Sequence, residues 1–529
     1  MDKLNHNIEK KDQMRRASDI ELLGKASVLD LGSNSVKLAN YIINSYNDYT
    51  PYHQESVRLR LSEGLDRGVI RENYIDNTVE SLKLFRNIVD FENVNYVISV
   101  ATSAIRDAKN QHLILDRIRK ETKFDFNILS EHNEALYSYT GAIRSLKIPS
   151  VLFFDIGGGS LEIVFAENFN VRKIISLPLG ALKLTQMFSN YEEIEITNFY
   201  KMEKHIQDTL PTLEDLGISE PSDVILVGVG GVLRTLAKYD QQLRQYPLSK
   251  IHNYKITLNS LEAIFKRLRL LPVDKISKIH SIGSGRADTI CAGALVITQL
   301  MKVMGFKDLT VSAHGLREGV LALSLQYPNE FENQNIDYQK IKDIIYLSSQ
   351  MESLSEYVED FVMLLYSMDL LLEPERVLLS YAISQIDKLW SFRDVENVLY
   401  SIMDNDSSLT HREQLIVALS LIYSKKKKKV DSLILKFENI LEINDKRLVK
   451  KISSIVSLCD IFHKTDVKIK ATSDNPKSIS LKIYPKSNIF PEVLLHQACE
   501  RLEDALGISI VASIYYQTPI SSSDPMGIV

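Results

Sequence analysis

The sequence is poor in several things at once. It has three cysteines, Cys291, Cys459 and Cys499, far apart and without a CxxC pair. That excludes a disulfide scaffold and a cysteine-rich zinc site, and it agrees with a reducing cytosol. No stretch reaches about 18 uninterrupted apolar residues, so no membrane-spanning helix and no membrane partner are expected. The opening MDKLNHNIEKKDQMRRASDIELLGK has no apolar core of signal-peptide length. Residues 1–25 read as a mobile charged tail, and the expected location is the cytoplasm. Charge of one sign is also missing: 63 Lys+Arg against 68 Asp+Glu leaves −5. No broad positive field advertises nucleic acid, so a phosphate-rich ligand must be held by local sites.

What the chain does have is length and pattern. Its 529 residues are too many for one core and enough for three or four domains. From Ser27, SVLDLGSNSVKLANYIIN reads as two strands joined by a Gly/Ser/Asn turn. Ile75, Val79, Leu82, Phe85 and Val89 recur at helical spacing. A strand is expected at 94–102, a helix from about Ala108, a strand in FDFNIL and a helix carrying NEALYSYTGAIRSL.

VLFFDIGGGSLEIVFAEN at 151–168 is again strand, Gly-rich turn, strand. Aligning Asp30 with Asp155 pairs Leu31 with Ile156, Gly32 with Gly157, Ser35 with Ser160 and Leu38 with Ile163. The offset is 125 residues, about one domain. This internal repeat predicts two α/β domains whose turns face each other across a cleft. VILVGVGGVLRTLA at 224–237 adds strand, Gly turn, helix. After about residue 325 the Gly-rich turns stop, and 338–465 is helical in pattern, interrupted by Lys425–Lys429. SISLKIYP, PEVLLHQACERLEDALG and ISIVASIYYQ then read as strand, helix, strand, and SSSDPMGIV as a frayed end.

The two turns carry the chemistry. Gly32, Ser33, Asn34 and Ser35 in one, and Gly157, Gly158, Gly159 and Ser160 in the other, leave backbone N–H groups free to form an anion nest. Glycine permits close approach of a phosphate, and the matched serines add hydroxyls. Asp30 and Asp155 end buried strands, where a carboxylate needs a partner or a cation. Beside a phosphate the fitting cation is Mg²⁺. The plainer reading makes each turn an ordinary β-turn with an Asx bond. Two matched copies favour phosphate.

DLGSNS at 30–35, ATSAIRDAKN at 101–110, DIGGGSLEIV at 155–164, SLPLGALKLT at 176–185, GVGGVLRTLA at 228–237 and RAD…SAHGLREGVL at 286–321 occur in one order. Together they resemble the exopolyphosphatase / guanosine pentaphosphate phosphohydrolase family, closely over 26–325 and more loosely beyond. The resemblance implies the duplicated ribonuclease H-like fold of the actin, sugar-kinase and chaperone-ATPase superfamily. It also implies Mg²⁺-assisted removal of a terminal phosphoryl group by water.

By position in LSEHNEALYSYTG, Glu134 matches the family's base, with helix-start placement expected to keep it ionised. The family usually shows Gly and a second Glu nearby. Here Glu131 and Asn133 stand instead, so Glu131 is a rival base, and simple capping is the alternative. Asp155 and Glu162 match the residues that hold metal and orient water. Otherwise Glu162 is the polar member of an alternating strand. Arg106 is the candidate for gripping phosphoryl oxygens, its alternative being a partner for Asp107 or a surface acid. Arg234, Arg286 and Arg317 serve either the cleft or the domain interface, and Lys37 and Lys183 are further candidates for the cleft.

Long family members carry a helical domain related to HD phosphohydrolases. Gln385 and Ile386 stand where its His–Asp doublet would fall, and His411 reads as a cap or surface residue, so any such site has decayed. The Lys425–Lys429 run reads either as solvated or as a guide for a polyanion. The expected division is 1–25 tail, 26–149 and 150–325 ribonuclease H-like domains, 326–465 degenerate HD-like domain and 466–529 small α/β domain. The expected function is Mg²⁺-dependent exopolyphosphatase, with inorganic polyphosphate as substrate. The alternatives are hydrolysis of guanosine pentaphosphate and a non-catalytic phosphate or nucleotide sensor; a sugar kinase fits the motifs less well. A homodimer through the C-terminal half is implied by the resemblance.

Overall fold

The computed structural model describes residues 24–45, 48–188, 196–347, 356–386, 394–465, 467–487 and 489–516. Most of the tail expected over 1–25, and all of SSSDPMGIV, lie outside the described residues, but strand pairing already begins at Gly24. The chain divides into two compact units, Met1–Ser349 and Gln350–Val529.

In the first unit, the apolar runs flanking the first Gly/Ser/Asn break form β1 (Gly24–Leu31) and β2 (Ser35–Ser45), and β3 (Asp48–Arg58) extends the antiparallel meander. A short hairpin, β4 (Leu65–Asp66) and β5 (Val69–Ile70), leads into α1 (Glu72–Phe91). The stripe Ile75, Val79, Leu82, Phe85 and Val89 is buried, as its spacing predicts. After β6 (Tyr96–Ala101), one helical turn at Ser103–Arg106 that was not expected precedes the helix expected from about Ala108, which starts at Gln111 as α2 (Gln111–Thr122). The late start has a cause. Asn110 turns its amide to the backbone N–H and C=O of Ile70, both at 3.0 Å, and so leaves the helix to bond the hairpin. Strand β7 (Phe126–Ile128) and α3 (Glu131–Leu146) complete the half, with Ser130 capping α3 by accepting the Asn133 N–H at 3.2 Å.

The second half repeats the plan with β8 (Val151–Ile156), β9 (Leu161–Glu167), β10 (Asn170–Leu177), β11 (Ile225–Val229), α4 (Gly231–Leu243), β12 (Tyr254–Thr257), α5 (Ile290–Val303), β13 (Asp308–Val311) and α6 (Leu316–Gln326). The sheet orders are β3-β2-β1-β6-β7 and β10-β9-β8-β11-β13-β12. Each sheet is an antiparallel trio extended by two parallel strands, and only β12 is extra.

The halves meet where α3 crosses α6. A Cβ on Gly141 would lie 2.0 Å from the Gly315 carbonyl oxygen, and one on Gly319 would lie 1.8 Å from that of Tyr137. Backbone therefore touches backbone, and only glycine permits it. Around the crossing, one core joins Val28 and Val100 of the first sheet, Phe153 and Val229 of the second, and Tyr137 and Val320 of the two helices.

The boundary expected at residue 325 falls elsewhere. Helices Pro328–Glu332 and Tyr338–Leu347 bury Phe331, Ile341, Ile344 and Ile345 in that same core, so the first unit runs on to Ser349.

The second unit is helical and then mixed. It contains α7 (His411–Tyr423), the helix Lys427–Lys436 and α8 (Asp445–Thr465). The Lys425–Lys429 run thus straddles a helix break and opens the next helix. His411 is buried at the start of α7, not on the surface, and the cap is Thr410, which accepts the Glu413 N–H at 3.3 Å. Strand β15 (Ser478–Pro485), α9 (Glu492–Leu506) and β16 (Ser509–Ile514) occupy the expected segments. β14 (Val467–Asn475) adds a strand, giving a sheet of order β14-β15-β16. Among the described residues, no helix is long and apolar enough to cross a membrane.

Because the obstacle at the crossing is backbone, Gly319→Ala should cost about 3 kcal/mol, the upper part of the range for an overpacked core. Gly285→Ala, where a new Cβ meets nothing within 4 Å, is the control. Urea unfolding of the full chain should show an early first transition in the Gly319 variant alone. An unchanged midpoint would contradict the crossing.

Candidate active site

The two Gly/Ser turns have one geometry. Gly32 donates its N–H to the Ser35 carbonyl at 3.1 Å, and Gly157 donates to Ser160 at 3.0 Å. The turns stand face to face. A Cβ on Gly158 would lie 3.4 Å from the Ser33 Cβ, and one on Gly159 would lie 2.9 Å from Ser103 Oγ. Ser33 and Ser103 hydroxyls are hydrogen-bonded at 2.5 Å. Both turns, with Thr102, Ser103 and the Gly230–Gly231 turn, line one cleft. All of Asp30, Gly32, Ser33, Asn34, Ser35, Asp155, Gly157, Gly158, Gly159, Ser160, Glu162 and Glu134 are on its wall.

Strand register decides the charges. β1–β2 pairing sets Asp30 opposite Lys37, and Lys37 Nζ donates to Asp30 Oδ2 at 3.3 Å. β8–β9 pairing sets Asp155 opposite Glu162. Lys37 and Glu162 are equivalent positions of the repeat, 125 residues apart. One turn thus carries an ion pair and the other two acids side by side. Like charges opposed across strands repel unless something lies between them. Ser138 donates to Asp155 Oδ2 at 2.5 Å, while Glu162 Oε1 is buried without a hydrogen-bond partner.

The carboxyl groups respond accordingly. Burial, then the charges of Glu134 and Asp155, push Glu162 well above the carboxylate range. Burial also raises Asp155, against the Ser138 hydroxyl and the charges of Lys37 and Arg234. Glu134 is pushed up to about 7 by burial, against its hydrogen bond and charge interaction with Arg106. The helix-start setting therefore does not by itself keep Glu134 ionised. Desolvation outweighs it.

Lys37, Arg234, Arg286 and Arg317 line the same cleft. Asp30 pulls Lys37 up, but burial and the three arginines together hold it below its usual value. Burial, then Arg317, lowers Arg234, and burial, then Arg234 and Arg58, lowers Arg286 to about 10. Burial disfavours the Arg317 charge too, yet Glu318, Tyr41 and Asp30 outweigh it and raise the group. Glu318 is itself fixed by the Tyr41 hydroxyl at 2.7 Å and the Gly315 N–H at 2.8 Å. The arrangement is a buried cavity of both signs, suited to a multiply charged anion with a cation.

The Ppx/GppA phosphatase family model matches residues 43–327. The chain belongs to that family. Exopolyphosphatase 1 of Mycobacterium bovis is 27% identical over 313 residues, covering 57% of this chain and 88% of that protein. A bifunctional 3-dehydroquinate synthase/phosphatase of Fusobacterium nucleatum is 27% identical over 300 residues, 54% of this chain, and the match spans only 44% of that relative. The crystal structure of an exopolyphosphatase from Cytophaga hutchinsonii superposes with a TM-score of 0.53 at 26% identity, over 57% of this chain and 98% of that one. With the paired mixed sheets, these likenesses fit the actin-like ATPase fold.

Within this family member the expected residues are not all equivalent. Arg106 is bonded to Glu134: its Nη1 donates to Glu134 Oε2 and to the Leu129 carbonyl, both at 2.9 Å. Glu131, the rival base, is more than half exposed and 3.8 Å from Arg106. Lys183 is exposed. Sequence reasoning missed the roles of Thr102, Ser103 and Ser138, although ATSAIRDAKN and LSEHNEALYSYTG contain them.

It also missed a clasp between the halves. Asp288 accepts from Arg58 Nη2 with both oxygens, at 2.8 and 2.7 Å, and from Arg60 Nη2. Arg58 reaches the Ser284 carbonyl as well, at 3.0 Å. Asp288 lies two residues beyond the cleft's Arg286, so the clasp anchors that arginine's loop to the first half. Asp288→Asn should therefore cost about 2 kcal/mol, the scale of charge-assisted hydrogen bonds. Thermal unfolding checks this, and a melting temperature equal to that of the parent would contradict it.

Proposed function

We propose that this protein removes the terminal phosphoryl group of inorganic polyphosphate by hydrolysis, releasing orthophosphate. One observation carries the reading: two matched Gly/Ser turns face each other in a cleft lined by Glu134, Asp155 and Glu162 together with Lys37, Arg234, Arg286 and Arg317. The exopolyphosphatase relatives support polyphosphate as the substrate.

The partnerless Glu162 oxygen beside Asp155 fits a hard divalent cation, and the all-oxygen donor set suits Mg²⁺. Asp155 and Glu162 would hold it, and its charge would neutralise phosphate oxygens near the reacting bond. Backbone N–H groups of 33–35 and 158–160 bind the phosphates, those of Gly32 and Gly157 being used within the turns. The four cationic side chains draw the terminal group into the cleft and take up charge as its bond to the chain breaks. Arg106 positions Glu134, and Glu134, once ionised, accepts a proton from the attacking water. The helices of the second unit enter this reading as a decayed HD-like scaffold, in which Gln385 and Ile386, both buried, stand in place of the His–Asp doublet.

Glu134→Gln keeps size and hydrogen bonding but removes the proton acceptor, so kcat should fall by about 10²–10⁴-fold with substrate binding largely retained. Phosphate release is to be measured side by side from long polyphosphate, tripolyphosphate and guanosine pentaphosphate. A rate within a few-fold of the parent would remove Glu134 from the role of base, and faster release from guanosine pentaphosphate would move the substrate assignment to it. Asp155→Ala should weaken activity and Mg²⁺ activation together. An unchanged Mg²⁺ activation curve would overturn the metal role.

A further inference from the structure

The second unit contains a groove that the proposed phosphatase reaction does not use. Its origin is a helix face with the wrong side chains for packing. On α8, Lys450, Ser453, Ser454, Ser457 and Ile461 follow at i, i+3, i+4, i+7 and i+11 and share one face. Ser453 and Ser454 are buried, at 2% and 5% exposure, where a packed helix presents large apolar groups. Small side chains here leave space open between α8, α9 and the α7 break.

One half of that space is cationic. Lys425 and Lys427 enter from the break after α7, Lys450 from α8 and Arg501 from α9, with Asp504 as the single acid. The lysine run thus divides. Lys425 and Lys427 face the groove, while Lys429 pairs with Glu396 at 3.2 Å. The other half is apolar, walled by Val456, Ile461, Pro491 and Leu494. Ser424, Lys425, Ser457 and Arg501 line both halves, so the two are continuous. Asp460 sits in the apolar half; its Oδ2 accepts from Lys464 at 2.7 Å, but its Oδ1 is buried without a hydrogen-bond partner. Each half holds about 260 Å³ and opens to solvent, so a small molecule would have to span both.

Three chemistries therefore adjoin: a cluster of cations, an aliphatic wall, and a buried carboxylate oxygen lacking a donor; the hydroxyls of Ser424, Ser454 and Ser457 are spent on carbonyls of their own helices. An inorganic phosphate chain would use only the first. A ligand carrying phosphates on a flat apolar group with N–H or O–H donors uses all three. We propose that this groove binds a nucleoside diphosphate or triphosphate, with its phosphates at Lys425, Lys450 and Arg501 and its base against Leu494 and Ile461 within reach of Asp460.

The test uses the full chain and isothermal titration with ADP, GDP and tripolyphosphate. ADP or GDP should bind with a site that Lys450→Glu/Arg501→Glu weakens at least tenfold. Leu494→Ser and Asp460→Asn should weaken nucleotide binding several-fold and leave tripolyphosphate binding unchanged. Leu494 and Arg501 are exposed, and the thermal melt of each variant checks its folding. Three results overturn the proposal: neither nucleotide binds, binding is indifferent to Lys450 and Arg501, or tripolyphosphate occupies the groove as tightly as ADP and Leu494 has no effect. The last outcome would make it a simple polyanion site.

Discussion

Two acids that pairing forces together, Asp155 and Glu162, are the constraint around which the first unit is organised. They oppose each other on adjacent strands, out of water, with burial and mutual repulsion both resisting ionisation. Such a pair is costly to a fold unless a ligand or cation completes it. Its counterpart in the other half, Asp30 with Lys37, completes itself. The duplication therefore produced two equal frames with unequal charges. In the reaction proposed above, the self-neutral turn serves as a holder, and the acid-rich turn is the proposed place of the divalent cation and the reacting phosphate. Three arginines of the same cleft, Arg234, Arg286 and Arg317, add charge of the other sign, and burial works against the charged form of each.

Holding these walls at a working distance falls to two contacts of opposite character. At the base, α3 and α6 touch through Gly141 and Gly319, a contact without side chains and hence without slack. At the mouth, Asp288 ties Arg58 and Arg60 to the loop of Arg286 through charge. A packed backbone crossing sets the spacing, and an ionic clasp closes the far side.

Much of this was legible in the chain. The 125-residue repeat announced both sheets and both turns, and helical spacing located α1 and α3. The edge strands β3 and β10 were not read. β3, DYTPYHQESVR, is polar and contains Pro51, tolerable only because it lies at the sheet edge. The clasp was invisible for a different reason. Arg58 and Asp288 are 230 residues apart, and ordinary arginines and aspartates carry no mark of pairing at that separation. Gly141 and Gly319 did leave a trace, since glycine inside a helix costs stability and asks for a packing reason. Glu134 was found by position, yet its protonation depends on burial, which a motif does not contain. The lysine run was visible, but its partners Lys450 and Arg501 come from other helices.

The central claim is attack by water at the end of a phosphate chain, in the cleft of the first unit. It is tested most directly by following the products from polyphosphate of one defined chain length, with the full chain and Mg²⁺, through the first turnovers. The account predicts orthophosphate from the outset, with parent chains shortened one unit at a time. Fragments of intermediate length at early times, or a folded protein that releases no phosphate from polyphosphate, would contradict it.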